Sequence, residues 1–352
     1  MSDTDINDKR EYKEFRGISF SNFKKSKVKQ QLLNSLIESK IEPACYWTAE
    51  LVCAGHFQDL WDTILLFVGK YIHLGNPKLP IYIDMRFNQF RDIITSGYIG
   101  NEIRLRNNAK IRGMFAEVIC ILCFSPKKYA IEAVKIKDPA IFDMTQMTNK
   151  LKAPDISYAS IIFKKDDPKE LFIAINELAY ALKIKSCVSA CFWVEWIIDF
   201  ESICKKRKQK CACERRSFAP VQDKFQTDII WMIWELIIKE GNKKHSNILN
   251  RILDAIINMF SIRYSVGVKK RRRFLIYYAV SLITESINYN VNIIENEETV
   301  KLIVKKIDVI YSQVKKNEIK PKTDYLFSGT TSHTNLEKTI NKIELMNSLH
   351  KY

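Results

Sequence analysis

Apolar positions recur at three- and four-residue spacing along most of this chain, the signature of amphipathic helices. Val28, Leu32, Leu33 and Leu36 share one face of a helix that starts near Phe23, with Lys24, Lys25, Lys27 and Lys29 outside. Pro43 suits the first turn of a second helix, which carries Ala44-Cys45-Tyr46-Trp47 and stops at Gly55. The pattern predicts a third over 58–73, closed by Leu74-Gly75-Asn76-Pro77. Pro80 opens a fourth through Tyr82, Met85 and Phe90. Ile111, Met114, Phe115, Val118, Ile119 and Leu122 place a helix over 110–124, ended by Ser125-Pro126.

The stretch 138–165 is less regular. Lys152-Ala153-Pro154-Asp155 punctuates it, and residues 156–163 suit a short strand or a helical fragment equally. A domain boundary is placed here. Residues 169–183 and 188–204 follow as a helical pair. Ile229, Ile230, Trp231, Ile233, Trp234 and Ile237 make 226–239 apolar nearly all round, which marks a central buried helix. Ile248, Leu249, Ile252, Leu253, Ile256, Ile257 and Phe260 oppose Asn247, Asn250, Arg251, Asp254 and Asn258. Residues 274–283 form another buried helix, and Val300, Ile303, Val304, Ile307, Ile310 and Tyr311 an amphipathic one. After a polar stretch over 316–332, Thr334-x-x-Glu337 matches a capping box. Leu336, Ile340, Ile343 and Met346 then share one face. That terminal helix either docks on its own domain or serves as a tethered partner-binding peptide.

The expected fold is therefore all-α, an irregular multi-helix bundle or stack of helical pairs. Its expected parts are a flexible arm over 1–21, a helical domain over 22–152, a second over 153–315, and a linker with a terminal helix over 316–352. Composition agrees: among 352 residues there are only 10 glycines and 9 prolines, against about 12% together in average usage.

Charge narrows the partners. The chain carries a net +16, which favours a polyanion or an acidic protein surface. Two segments concentrate it. One holds Lys205, Lys206, Arg207, Lys208, Lys210, Arg215 and Arg216; the other is Lys269-Lys270-Arg271-Arg272-Arg273. Cations this dense repel one another and are expected to stay exposed, where they attract phosphate in a sequence-blind, salt-dependent way. A solvated surface or a nuclear-import-type run is the plainer alternative. The acidic, polar N-terminus has no apolar core of a secretory signal, and Glu195 and Asp199 interrupt the longest apolar run well short of a membrane span. Nine cysteines, an odd number, suit reduced thiols in the cytoplasm or nucleus of a host cell.

No catalytic motif stands out, so the expectation is a non-enzyme. A GxxxxGK(S/T) phosphate loop, HExxH, GxSxG and GxGxxG are all missing from the sequence. The five histidines are scattered, and Asp166-Asp167 reads as a solvated or capping pair. Cys204-x6-Cys211-x-Cys213 is the one arrangement with a metal alternative, a structural zinc; free thiols are the plainer reading, and no cofactor is expected. Cys120-x2-Cys123 lies in an apolar run and reads as core. Tyr277-x4-Leu282-Ile283 has the form of peptides that bind the cap-binding translation factor, but it too suits packing in an apolar helix.

Residues 30–135 carry a more specific pattern: Ser35-x3-Ser39-x-Ile41-Glu42-x-Ala44-x-Tyr46-Trp47-x-Ala49-Glu50-Leu51, then Gly55, then Gly75-Asn76-Pro77. This layout resembles the C-terminal collar of the MgsA/RarA family, clamp-loader-like AAA+ ATPases of stalled replication forks. Ser125-Pro126-Lys127-Lys128 echoes a further collar element. The chain lacks the ATPase module, and Ile72-His73 replaces the family's acidic pair, so ATP hydrolysis is not carried over. The resemblance implies a helical collar over 22–152 that self-associates and touches DNA, with Tyr46, Trp47, Glu50, Gly75, Asn76 and Pro77 as its motif. The Ile/Lys/Asn-rich style also resembles proteins of large nucleocytoplasmic DNA viruses.

Together these observations lead to an expected non-catalytic basic scaffold in viral DNA replication, repair or genome handling. Nonspecific DNA or an acidic protein is its expected partner, with possible homo-oligomers, and its compartment includes a viral factory or virion. The alternative is a helical adaptor for virion, transcription or translation-initiation proteins.

Overall fold

Two helix starts are capped by a side chain. Asn108 accepts hydrogen bonds from the amides of Lys110 and Ile111, and Ser246 from that of Leu249. Pro80 occupies a first-turn position, where its missing N–H costs nothing. The computed structural model describes residues 4–136, 142 and 150–319. The expected terminal helix, with Leu336, Ile340, Ile343 and Met346, lies outside the described residues.

Among the described residues the fold is all-α. Its helices are α1 (Lys25–Ile37), α2 (Ile41–Cys53), α3 (Phe57–Phe67), α4 (Leu79–Thr95), α5 (Ala109–Phe124), α6 (Phe172–Lys183), α7 (Cys187–Lys206), α8 (Ile230–Asn242), α9 (Asn247–Ser261), α10 (Val268–Arg271), α11 (Arg273–Thr284) and α12 (Glu297–Lys315). An isolated bridge joins Ile18 and Lys24. The helix expected over 58–73 is broken: α3 ends at Phe67, then a π-helical turn (Val68–Ile72) and a 3-10 turn (His73–Gly75) carry the chain on. The ambiguous segment 156–163 contains a 3-10 turn (Ser157–Ile161), held where Asn176 Oδ1 accepts the Ala159 amide.

Packing joins elements far apart in sequence. Neighbours such as α1 and α2, or α6 and α7, pair as the pattern suggests. In addition α9 lies on α4, and α12 returns across α5 and α2. The buried apolar residues form one cluster from Ile6 to Val314, crossing the boundary expected near residue 152. At its centre is α8, with Ile230, Trp231, Ile233, Trp234 and Ile237 fully buried.

The stretch expected to be a flexible arm is packed instead, and burial of its apolar and ionic groups is the reason. Ile6, Phe15 and Phe20 are buried. Arg10 forms a buried ion pair with Asp8 at 2.6 Å, its guanidinium 4.7 Å and 4.9 Å from the Phe15 and Phe20 ring centroids. The Lys9 amide donates to the Ile319 carbonyl, and the Ile319 amide to Asp8 Oδ2. The first and last described residues are thus stitched together.

The Gly75-Asn76-Pro77 turn knots three segments. Asn76 is fully buried. Its Nδ2 donates to Ser125 Oγ and to the Asn292 and Ile293 carbonyls, each at 3.3 Å. Its carbonyl accepts from the Tyr278 hydroxyl at 3.0 Å. Beside it a Cβ on Gly75 would sit 2.2 Å from the Pro126 carbonyl oxygen, so glycine alone fits this approach. His73 is buried against Tyr278, the rings stacked at 4.9 Å, and burial lowers its pKa to about 4.

Two predictions follow from this turn. Gly75→Ala lowers stability by about 2–3 kcal/mol in urea unfolding, because backbone must shift. Gly267→Ala, with open space around the new methyl, changes it by less than about 0.5 kcal/mol. Acidification should also act through His73. Its ring is harder to protonate in the fold than in the unfolded chain, so stability falls as pH drops from about 6.5 to 4. The loss through this group is about 3 kcal/mol. His73→Asn, which removes the titrating ring, flattens the pH slope by up to one proton over that range.

Candidate nucleic-acid interface

The two basic segments have opposite fates. In the first, α7 runs beyond the core after Cys204, and Lys205 and Lys206 fill its last turn, where cations complement the helix dipole. Lys208 ends the run in left-handed backbone at φ +56°. Lys205, Lys206, Arg207, Lys208 and Lys210 are all exposed, and among the described residues none enters an ion pair. Arg215 is exposed as well, but paired with Asp223 at 2.9 Å and bonded to Gln226.

Arg216 departs from the expectation that dense cations stay exposed. It is 1% exposed, and each of its five N–H donors has an acceptor. Nε donates to Glu235 at 2.7 Å. Nη1 donates to Asp167 Oδ1 and the Glu214 carbonyl, and Nη2 to Asp167 Oδ2 and the Ile162 carbonyl. The Asp166-Asp167 pair is likewise divided: Asp166 is exposed, whereas Asp167 is a buried counter-ion.

The second segment corrects the expectation more fully. Lys269 is 2% exposed, its ammonium held by Glu201 and by both oxygens of Asp228 at 2.6 Å and 2.7 Å. Asp228 also accepts from the Tyr264 hydroxyl at 2.8 Å. Arg272 is buried, donates to the Phe260 and Ile262 carbonyls at the end of α9, and pairs with Asp62 at 2.9 Å. Arg273 pairs with the buried Glu195 at 3.0 Å; Tyr277 donates to the other carboxylate oxygen at 2.9 Å. Burial raises the pKa of both Glu195 and Glu201, a tendency that Arg273 and Lys269 oppose. Lys270 is exposed and paired with Asp199, and Arg271 is exposed. Like charges adjacent in sequence separate because α10 and α11 point them to different carboxylates.

The cysteine cluster is also divided. Cys204 and Cys211 share a thiol–thiol hydrogen bond, while Cys213 Sγ donates to the Asp228 carbonyl at 3.3 Å. Burial pushes the Cys213 thiol up to about 12, which opposes a metal-binding thiolate. Among the described residues no group of three or more His, Cys, Asp or Glu side chains is placed to hold a metal.

The motif residues over 30–135 take structural positions here. Glu50 is fully buried and accepts from Ser19 Oγ, the Ser21 amide and Ser21 Oγ, anchoring the N-terminal segment on α2. Tyr46 and Trp47 are half-buried, edge to face at 5.1 Å, with Phe23 against Trp47. Tyr277, Leu282 and Ile283 are all buried in α11, as core packing requires.

Sequence reasoning missed the acids: Asp62, Asp167, Glu195, Glu201, Asp228 and Glu235. Glu195 and Asp228 did carry a signal, since a carboxylate set in or beside a long apolar run needs a partner when buried. No family model matches the chain, and neither a curated protein nor a solved structure does. Among the described residues no helix is long and apolar enough to cross a membrane.

Substitutions should separate the two kinds of cation. Lys269→Ala strands Glu201 and Asp228 and lowers stability by about 3–5 kcal/mol in urea unfolding. Lys206→Ala changes it by less than about 0.5 kcal/mol.

Proposed function

We propose that this chain is a non-catalytic helical scaffold that binds the phosphate backbone of nucleic acid, DNA in the first instance, through the end of α7 and the loop after it. The observation that carries this reading is the cluster of five exposed cations, Lys205, Lys206, Arg207, Lys208 and Lys210, none of them in a salt bridge among the described residues, with Lys205 alone near a carboxylate, Glu201. Lys270 and Arg271 are secondary contacts. Lys269, Arg272, Arg273 and Arg216 support the fold and leave the proposed contact set. The net charge of +16 draws a polyanion from a distance, and contact releases counter-ions. The resemblance of residues 30–135 to the MgsA/RarA collar supports a place in DNA replication, repair or genome handling, in a viral setting, with self-association.

The adaptor reading has one observation in its favour. A groove of about 320 Å3 runs between α2 and α12, lined by Ile41, Cys45, Ile303 and the exposed Leu302 and Val309.

Fluorescence anisotropy with mixed-sequence duplex DNA at two salt concentrations tests the main reading. Binding should weaken steeply with salt, the log–log slope losing about one unit for each phosphate contact removed. The triple variant Lys206→Glu, Lys208→Glu, Lys210→Glu should bind at least about tenfold more weakly at low salt with unchanged thermal stability. Absent binding at low salt, or full affinity in the triple variant, sinks the phosphate reading.

A further inference from the structure

A cleft of about 490 Å3 opens between α3, α4 and α9, with Pro220 in its lining. Its volume falls in the range of about 300–1,000 Å3 usual for small-molecule sites. It combines three kinds of surface. The partly exposed Phe87 supplies an aromatic face, backed edge to face at 5.2 Å by the buried Trp61. Asp84 and Asn258 supply hydrogen-bonding groups, Asn258 Nδ2 donating to Asp84 Oδ2 at 3.2 Å. Arg91 and Arg263 supply positive charge at the rim. Arg91 makes no close salt bridge among the described residues, although its charge acts on Asp84 in the same cleft, and Arg263 has only a solvent-exposed pair with Glu102 at 3.6 Å, weak enough to exchange.

Two lining residues hold polar atoms that are not satisfied internally. Trp61 Nε1 and Ser261 Oγ are buried without a hydrogen-bond partner. Both atoms lie beneath the floor of the cleft, and their missing partners are a cost carried by the fold. Burial also raises the pKa of the Asp84 carboxyl, as expected of a group turned partly away from solvent.

We propose that this cleft binds a nucleoside monophosphate, with the planar nitrogenous ring against Phe87 and the phosphate at Arg91 and Arg263. The ring offers what the aromatic face and polar groups ask for together: a π face for Phe87, an exocyclic amine for Asp84, and ring acceptors for Asn258. Two guanidinium groups suit a phosphate dianion better than a neutral ligand. A purely apolar ligand would leave the polar groups of the cleft unpaired. The site is separate from the exposed cations at the end of α7.

Isothermal titration of the full chain with AMP, and separately with adenosine, tests the assignment. AMP should bind with a Kd between about 1 μM and 0.1 mM, and adenosine about tenfold more weakly. The double variant Arg91→Glu, Arg263→Glu alters two exposed side chains. It should reduce AMP affinity to the level of adenosine and leave adenosine binding unchanged. Phe87→Ala should weaken both. The triple reversal at Lys206, Lys208 and Lys210 should leave AMP binding intact, which keeps this result independent of the DNA measurement. No binding of AMP, GMP, CMP or UMP at about 1 mM overturns the proposal, as does AMP affinity unchanged in the double arginine variant.

Discussion

A charge taken out of water must meet its opposite, and that requirement organises this molecule. An unpaired buried ion costs several kcal/mol, a sizeable part of the net stability of an ordinary domain. Arg216, Lys269, Arg272 and Arg10 are all withdrawn from solvent, each against a carboxylate. None of these pairs is worth much relative to an apolar replacement. Their effect is restrictive: an arrangement that separates Lys269 from Asp228, or Arg216 from Asp167, is strongly penalised. The pairs therefore select one packing of helices from the many that a generic apolar core would accept.

The same logic ties together residues on either side of position 152. Arg272 on the second half meets Asp62 on α3, and Arg112 on α5 meets Asp308 on α12 while lying 4.2 Å from the Tyr311 ring centroid. Asn76 adds neutral hydrogen bonds from the Gly-Asn-Pro turn to residues 292–293 and Tyr278. Polar ties of this kind run beside the continuous apolar cluster, so the two halves share both their core and their charge compensation.

Helices were legible in the sequence because they are local. The spacing of Ile252, Ile256 and Phe260 defines a buried face without reference to any other element, and the observed α9 follows it. The all-round apolar character of 229–237 likewise marks the central α8. The break at Val68–Ile72 was not legible, because it coincides with the close approach of Gly69 to Phe274 and Leu275, two hundred residues away in the chain. The packed N-terminal segment was missed for a similar reason: Asp8 and Arg10 look like solvated charges until the rings of Phe15 and Phe20 and the backbone of residue 319 close around them. In the candidate interface, residue type identified every cation, but which were surface and which were structural depended on distant acids.

What separates the two basic runs is the structure that precedes each one. The run after Cys204 begins where α7 has already left the apolar core, so its side chains are exposed, and the left-handed turn at Lys208 carries the chain away. The run at 269–273 instead spans α10 and the first residue of α11, whose Leu275–Ile283 surface is buried on all sides. A helix entering the core so abruptly draws Lys269, Arg272 and Arg273 inward, and they are tolerable there only as cations facing Asp228, Asp62 and Glu195. Five consecutive basic residues are thus not one feature. Charge density along a sequence becomes charge density on a surface only where the flanking helix does not commit the segment to the interior, and in this chain that condition is met at the end of α7.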